Sequence, residues 1–348
     1  MKRIISQLIL LLFFIALVFY RLFLSSATSF EGKSAFIIIS ENKKDKTTIL
    51  NELEEKGIIG NKFIFSFLAT GMGVWNKVKP GKYEIKKGQS LVTISRIFKN
   101  SRLAEIKLII NRLRTKEDLA KLIGKNFSTD STAVMKYLSS NDSLKGLDID
   151  TNRLFTVIIP DTYAFYWNTP LRKILRKLSD TKNIFWQSKG RLEKAQAIGL
   201  SSEEVYILAS IVEEETNYDS DKIKIASVYI NRLGKSMPLQ ACPTIKFAMK
   251  DFSITRVYEK YLLNPSPYNT YKRKGLPPGP ICTPSSKTID LILDAPKTDY
   301  LFFVTKSDFS GYHHFSSSFT EHNQYAKEYQ KALDMYMAKK QINQPGIH

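Results

Sequence analysis

The chain begins with a stretch that leaves little choice of environment. Lys2 and Arg3 precede Ile4 to Tyr20, which is apolar apart from Ser6 and Gln7; Arg21 interrupts, and Leu22 to Leu24 continue. Counted through Leu24, the segment reaches the ~20 residues a helix needs to span a bilayer. The basic residues in front of it argue for a cytoplasmic N-terminus and an exported body. A cleaved signal peptide is the competing reading, since Leu8 to Tyr20 has the length of an h-region and Ser25-Ser26-Ala27 offers a cut. Arg21 sits awkwardly between those two, so a retained single-pass anchor over residues 4–24 is the preferred reading. Either way the rest of the chain works outside the cytoplasm.

That remainder is large. A chain of 348 residues holds about two domains. Its 52 Lys+Arg against 33 Asp+Glu give a formal charge of +19, which suits an anionic partner: nucleic acid, a membrane surface or an acidic polymer. The basic residues are spread along the chain, without a long Lys/Arg run or an RNP-like aromatic motif. Nucleic acid is therefore set aside, and a solvated basic surface accounts for most of these charges. The two cysteines, Cys242 and Cys282, form no CxxC pair, and no second pair supports a zinc site. A single disulfide and two unpaired thiols both stay open.

The organisation reads as α+β throughout. Residues 25–33, SSATSFEGK, are small and polar and read as a linker. Residues 34–104 read as a small α+β domain. A strand over Ala35 to Ile39 is followed by a helix over Thr48 to Lys56, which Gly57 stops. A second helical stretch covers Asn61 to Thr70, a strand Lys82 to Ile85, and a helix Leu91 to Phe98 that Ser90 caps. The run Tyr83-Glu84-Ile85-Lys86-Lys87-Gly88-Gln89-Ser90-Leu91, with Ile94, resembles a LysM-type module, a family that binds N-acetylglucosamine-containing glycans. A simple spacer domain is the alternative. From about Glu105 to the end, short strands alternate with capped helices, which makes residues 105–348 a larger α+β domain. Its final helix, His322 to about Lys340, carries Tyr325, Tyr329, Leu333 and Met337 at four-residue spacing and presents a packing face.

The chemistry concentrates in Ser201 to Thr216. Ser201 with Glu204 forms a capping box, so a helix starts here. Val205, Leu208, Ile211 and Val212 share one stripe. With Leu208 at zero and 100° per residue, Glu215 falls at about −20°, Glu213 at about 140° and Glu214 at about −120°. Two of the three adjacent glutamates should be wet, and Glu215 points where the core-facing side chains point. Burial there disfavours the charged form and raises the pKa, the condition a glycosidase acid needs. A helix that frays after Val212 would leave all three solvated.

Several later blocks accompany this helix: Asn231-Arg232-Leu233, Met237-Pro238-Leu239-Gln240, Pro243-Thr244, Tyr268-Asn269-Thr270-Tyr271, Gly275-Leu276-Pro277-Pro278-Gly279-Pro280-Ile281, and His313-His314-Phe315 with Glu321-His322-Asn323. Together with Ala209-Ser210-Ile211-Val212-Glu213-x-Glu215-Thr216 and the upstream Pro160-Asp161-Thr162-Tyr163, they resemble the endolytic murein transglycosylase family, the YceG-like membrane-anchored lytic transglycosylases. The resemblance covers roughly residues 155–335, with the blocks in order. It departs where Cys242 stands in place of the usual Asp, where Ser285 follows Thr283-Pro284 in place of Gly, and where Phe155 to Ile159 replaces the Glu-Gly-aromatic lead-in.

The resemblance implies nonhydrolytic cleavage of the MurNAc–GlcNAc β-1,4 bond, leaving a 1,6-anhydro-MurNAc end. It implies Glu215 as the single catalytic acid/base, with Glu213 as the alternative if the helical phase is misjudged. Gln240, Tyr268, Asn269, Thr270 and Glu321 are the candidates to position the glycan. It further implies a bacterial inner (cytoplasmic) membrane location with the body facing the periplasm or wall, peptidoglycan synthases as partners, and no metal or cofactor. Two rivals remain. One is a metal-dependent hydrolase built on His313, His314, Glu321 and His322, which lack HExxH spacing. The other is a noncatalytic tether that binds murein through the LysM-like part.

Overall fold

The computed structural model describes residues 2–254 and 256–342. The apolar N-terminus forms α1 (Lys2–Phe19) and continues as one wider π turn to Leu24. The helix Arg3–Leu24 is long and apolar enough to cross a membrane.

The chain divides into two compact units. The first comprises Met1–Leu108, Lys125–Asp130 and Tyr163–Pro170. Its centre is β1 (Ser34–Ile39), α2 (Lys46–Glu55), α3 (Lys62–Gly71) and β2 (Gly81–Lys86), followed by α4 (Leu91–Lys99). β1 and β2 are antiparallel, with Ile37 opposite Tyr83 and Ile39 opposite Gly81. Alternate strand residues Ile37, Ile39, Tyr83 and Ile85 point into a core completed by Leu53, Phe65, Ile94 and Phe98. Asp45, Asn61 and Ser90 cap α2, α3 and α4 with their side chains, which explains why these segments start where the sequence suggests. A second strand pair joins β3 (Glu105–Ile109) and β4 (Thr162–Tyr166).

Residues 25–33, small and polar enough to read as a linker, lie docked on this unit. The Ala27 amide donates to the Gln89 carbonyl at 3.0 Å and the Ser29 amide to the Gly57 carbonyl at 2.8 Å. Thr28 Oγ1 accepts from the Gly88 amide at 2.8 Å, and Phe23, Ala27 and Phe30 pack on the core. Gly57 ends α2 at φ +63°, and a Cβ there would lie 2.8 Å from Ser29 Oγ, so the docked segment and the helix stop both need glycine.

The second unit comprises Ile109–Gly124, Ser131–Thr162 and Leu171–His348. It is richer in helix than the expected alternation. It holds α5 (Lys116–Asn126), α6 (Ser131–Leu138), α7 (Asn141–Leu144), α8 (Leu171–Gln187), α9 (Arg191–Ala197), α10 (Ser202–Glu215), α11 (Asp219–Gly234), α12 (Cys242–Ala248), α13 (Glu259–Leu262) and α14 (Ser286–Leu293). The antiparallel pair β5 (Phe302–Thr305) and β6 (His313–Ser316) precedes α15 (Phe319–Ile342). α15 starts three residues before the expected His322.

α10 is the axis of this unit. Ser201 and Glu204 complete both halves of the capping box. Every residue from Val205 to Glu213 is buried, because α9, α11, α12 and α14 pack around the helix. Small residues permit the crowding: Ser210 Oγ accepts from the Ile281 amide at 3.0 Å while donating to the Ile207 carbonyl.

Candidate active site

The three glutamates at the end of α10 meet three different environments. Glu213 was expected to be wet, and the structure corrects this: it is 8% exposed. A helical wheel assumes one solvent face, whereas α10 is enclosed on all sides and its far face meets α11 and α14. There the Lys222 ammonium donates to Glu213 Oε2 at 3.0 Å, joined by the Thr288 hydroxyl and by Ser285 Oγ at 3.2 Å. Burial alone would raise the Glu213 pKa. The Thr288 and Lys222 hydrogen bonds, the Lys222 charge and Arg112 outweigh it and hold the carboxyl below its ordinary value.

Glu214 is likewise not free in water. Arg114 grips it with Nε to Oε1 at 3.0 Å and Nη2 to Oε2 at 2.9 Å, a bidentate pair. Arg112 adds a contact at 3.6 Å.

Among the described residues, Glu215 has no cation in hydrogen-bond contact, and its one hydrogen bond comes from the Tyr229 hydroxyl, which donates to Oε1 at 2.5 Å. The residue keeps a partly open surface, while its carboxyl sits deep among protein atoms. It is thus reachable yet poorly hydrated. Burial pushes its pKa from the usual 4.5 up to about 7; the Tyr229 hydrogen bond and Lys246 pull against the rise, and Glu214 adds to it. Tyr229 is buried on α11, edge-on to Phe303 at 5.8 Å, and burial raises its own pKa well above the ordinary value. It therefore stays a donor.

A protonated Glu215 makes a testable contribution to stability. Its folded pKa lies above the ordinary one, so the folded chain holds this proton more tightly than the unfolded chain. The stabilisation is full below about 4.5 and is lost as pH rises through about 7. Glu215→Gln, neutral throughout, should therefore gain in melting temperature relative to wild type as pH goes from 5 to 8. A difference that stays constant with pH would mean the carboxyl is ordinary.

The other expected site residues divide by what they touch. Gln240 is exposed, with φ +53°, and its Oε1 accepts from Arg232 Nη1 at 3.2 Å. Tyr268 is half-buried, its ring 4.7 Å from that of Phe247. Asn269 and Thr270 are buried, and their polar atoms serve the protein. The Asn269 amide donates to the carbonyls of Leu262 and Asn264, and its Oδ1 accepts from the Tyr271 amide. Thr270 Oγ1 pairs with Thr244 at 2.8 Å and accepts from the Ala241 amide at 3.0 Å. The Gln240 amide donates to the Thr270 carbonyl, so the Gln240 and Tyr268–Tyr271 segments form one assembly. Glu321 is exposed in the first turn of α15, where the backbone amide is held by Ser318 Oγ.

Tyr229, Tyr271 and Lys246 are the site residues the sequence left unassigned. Only Tyr229 had a usable signal: a phenol inside an apolar helical stripe must find a partner for its hydroxyl. Tyr271 Oη lies 3.1 Å from Cys242 Sγ, and each feels the charge of Glu215. Cys242 is exposed, Cys282 is buried, and both thiols are free.

The histidine cluster does not gather. His313 Nδ1 pairs with Asp221 Oδ2 at 2.9 Å, His314 stacks on Tyr325 at 4.2 Å, and His322 stacks on Phe302 at 5.3 Å. Among the described residues no group of three or more His, Cys, Asp or Glu side chains is arranged to hold a metal ion.

The signature of the YceG-like family matches residues 38–328, more than half of the sequence. The chain belongs to the YceG-like family. An endolytic murein transglycosylase of Bacillus subtilis is 37% identical to this YceG-like protein over 174 residues, 49% of this chain and 47% of the relative. One from Streptococcus pneumoniae is 27% identical over 284 residues, 72% of this chain and 51% of the relative. The YceG-like chain thus spans about half the length of the curated relatives it matches. A crystal structure described as yceG-like, from Listeria monocytogenes, superposes with a TM-score of 0.55 at 26% identity, covering 84% of this chain and 98% of that one.

Proposed function

We propose that this YceG-like protein is an endolytic lytic transglycosylase that cuts the MurNAc–GlcNAc β-1,4 bond of peptidoglycan with Glu215 as its only acid/base. The observation that carries the reading is the contrast between the three glutamates: one carboxyl is desolvated, with a pKa of about 7, beside two that are paired with cations. Hydrolytic glycosidases use two carboxylates, one of them working on water or on the sugar. Glu213 and Glu214 are committed to Lys222 and Arg114, so chemistry with a single carboxyl fits what is left.

Glu215 first gives its proton to the glycosidic oxygen as the bond to C1 breaks. The carboxylate so formed takes the proton of the sugar's own 6-hydroxyl while O6 bonds to C1. The proton count closes, and the acid is regenerated. The names of the curated relatives support this reading. Gln240 and Tyr268 contact the glycan directly; Asn269 and Thr270 act by shaping the loop that presents them; Glu321 is a further glycan contact. The LysM-like run around β2 and α4 would add a second hold on the strand. The N-terminal helix anchors the chain in the cytoplasmic membrane with its N-terminus inside, among the synthases that make the strands.

Mass spectrometry of products formed in isotope-labelled water tests the reaction. Anhydro ends without the label are expected; labelled reducing ends would replace this reading with a hydrolytic one. New ends of neither kind, with binding to murein intact, would favour a noncatalytic tether.

The acid form starts the reaction, so the rate should fall as pH rises past about 7. Tyr229→Phe removes a hydrogen bond that lowers this pKa, so the alkaline limb of the pH–rate profile should move upward. A downward move would contradict the role given to Tyr229.

A further inference from the structure

A cavity of about 280 Å³ opens in the second unit, apart from the acid. One side is aromatic: Phe247 and Tyr268 are in contact, and Phe252 lies beside Phe247 with ring centroids 6.4 Å apart. Arg114, Lys116 and Lys250 line it with positive charge, against one carboxylate, Glu117. Arg114 is committed to Glu214. Neither lysine ammonium makes a hydrogen bond or ion pair among the described residues. Of the acids that act on Lys116, Glu117 is exposed and Asp150 is held by Arg153 at 3.0 Å. Burial and, to a smaller degree, Lys250 itself disfavour the Lys116 charge. A half-buried Lys116 and an exposed Lys250 thus share this hollow with the Glu117 carboxylate, neither ammonium in contact with a partner among the described residues, which leaves donors free to bind an incoming anion.

The cavity borders the acid's surroundings. Arg114 and Phe252 also line a smaller hollow of about 130 Å³ that reaches Glu214 and Lys246, and Lys246 acts on Glu215. Phe247 follows Lys246 directly on α12, and Lys250 lies just past the end of that helix. A substituent on a sugar bound at Glu215 therefore has a short way to go. In peptidoglycan that substituent is the peptide on the lactyl group of the muramic acid, which carries free carboxylates.

We propose that this cavity receives that acidic peptide, with a carboxylate between Lys116 and Lys250 and the peptide's apolar part against Phe247 and Tyr268. The proposal rests on the transglycosylase reading and adds to it a preference for peptide-bearing strands over bare ones.

The test compares glycan strands carrying their peptides with the same strands stripped by an amidase. Binding is measured by calorimetry on the full-length Glu215→Gln protein, and cleavage on wild type. Peptide-bearing strands should bind about tenfold or more tightly, and Lys116→Ala/Lys250→Ala in the same background should bring the ratio of the two affinities close to one. An unchanged melting temperature of the double variant separates this from a folding defect, and single Lys116→Gln and Lys250→Gln variants should each lower the ratio in part. Equal binding of both strands by the unmodified cavity overturns the proposal, even where wild type cuts both and the transglycosylase reading stands. Loss of both affinities alike in the lysine variants overturns it too. A binding preference without any cleavage sinks the activity and leaves the peptide site. Inorganic phosphate competing through the same lysines, with stem peptide failing to compete, would reassign the cavity to a phosphate-bearing ligand.

Discussion

Glu215→Gln is expected to leave a folded protein that makes essentially no cuts. The amide keeps the volume of the carboxyl and can still accept the Tyr229 hydrogen bond, so the packing of α10 survives. It cannot give or take the proton. General acid and general base roles are each worth about 10²–10⁴-fold, and here one group performs both. Circular dichroism should match wild type while product formation from purified glycan strands falls to background. Anhydro ends persisting in this variant would remove Glu215 from the mechanism. Glu213→Gln is the informative companion. If it alone abolished cutting with Glu215 intact and the fold unharmed, the acid would lie two residues upstream.

The second large effect is structural. Lys222→Ala should destabilise the protein by about 3–5 kcal/mol, the range found when one partner of a buried ion pair is removed. Lys222 and Glu213 are 6% and 8% exposed, so water cannot readily replace the lost ammonium. The hydroxyls of Thr288 and Ser285 remain, with Arg112 at 3.8 Å, which favours the lower end. The pH dependence should also weaken at this position. In wild type the depressed Glu213 pKa adds stability above the ordinary carboxylate range, lost as pH falls through the folded value. Without Lys222 two of the causes that lower the pKa are gone, so the loss of stability toward low pH should be shallower than in wild type. Urea unfolding at neutral pH and below the ordinary carboxylate range reads both effects. A loss under 1 kcal/mol, or the same slope with pH as wild type, would show that the pair is dispensable. Replacing both residues with apolar ones of similar size should recover much of the loss.

These two glutamates show what could and could not be read from the sequence. The capping box and the length of α10 follow from local spacing and stand in the structure; Glu215 keeps a partly open surface while its carboxyl is desolvated. The fate of Glu213 does not follow from spacing, because its partners lie 9 and 75 residues away. A wheel that sorts side chains into wet and dry cannot show that the supposedly wet side is a second packed face. Tyr229 is hidden for the same reason: its place next to Glu215 depends on how α11 folds back along α10. In the loop blocks, the residue types were informative and the roles less so. Asn269 and Thr270 have the groups that bind sugars, but an irregular loop needs those groups for its own backbone. In the first unit the caps and strand alternation were legible. Residues 25–33 were not, since small polar side chains look the same whether their backbone is docked or loose.

That docked segment has a mechanical consequence. With α1 in a bilayer, the chain passes from lipid into the first unit without slack, because Phe23 already sits on that unit's core and Ala27 and Ser29 are hydrogen-bonded to it. The helix is then a mount and not a leash. The first unit must turn and drift with its helix, its height above the lipid is set at the point of exit, and its search for partners takes place in two dimensions.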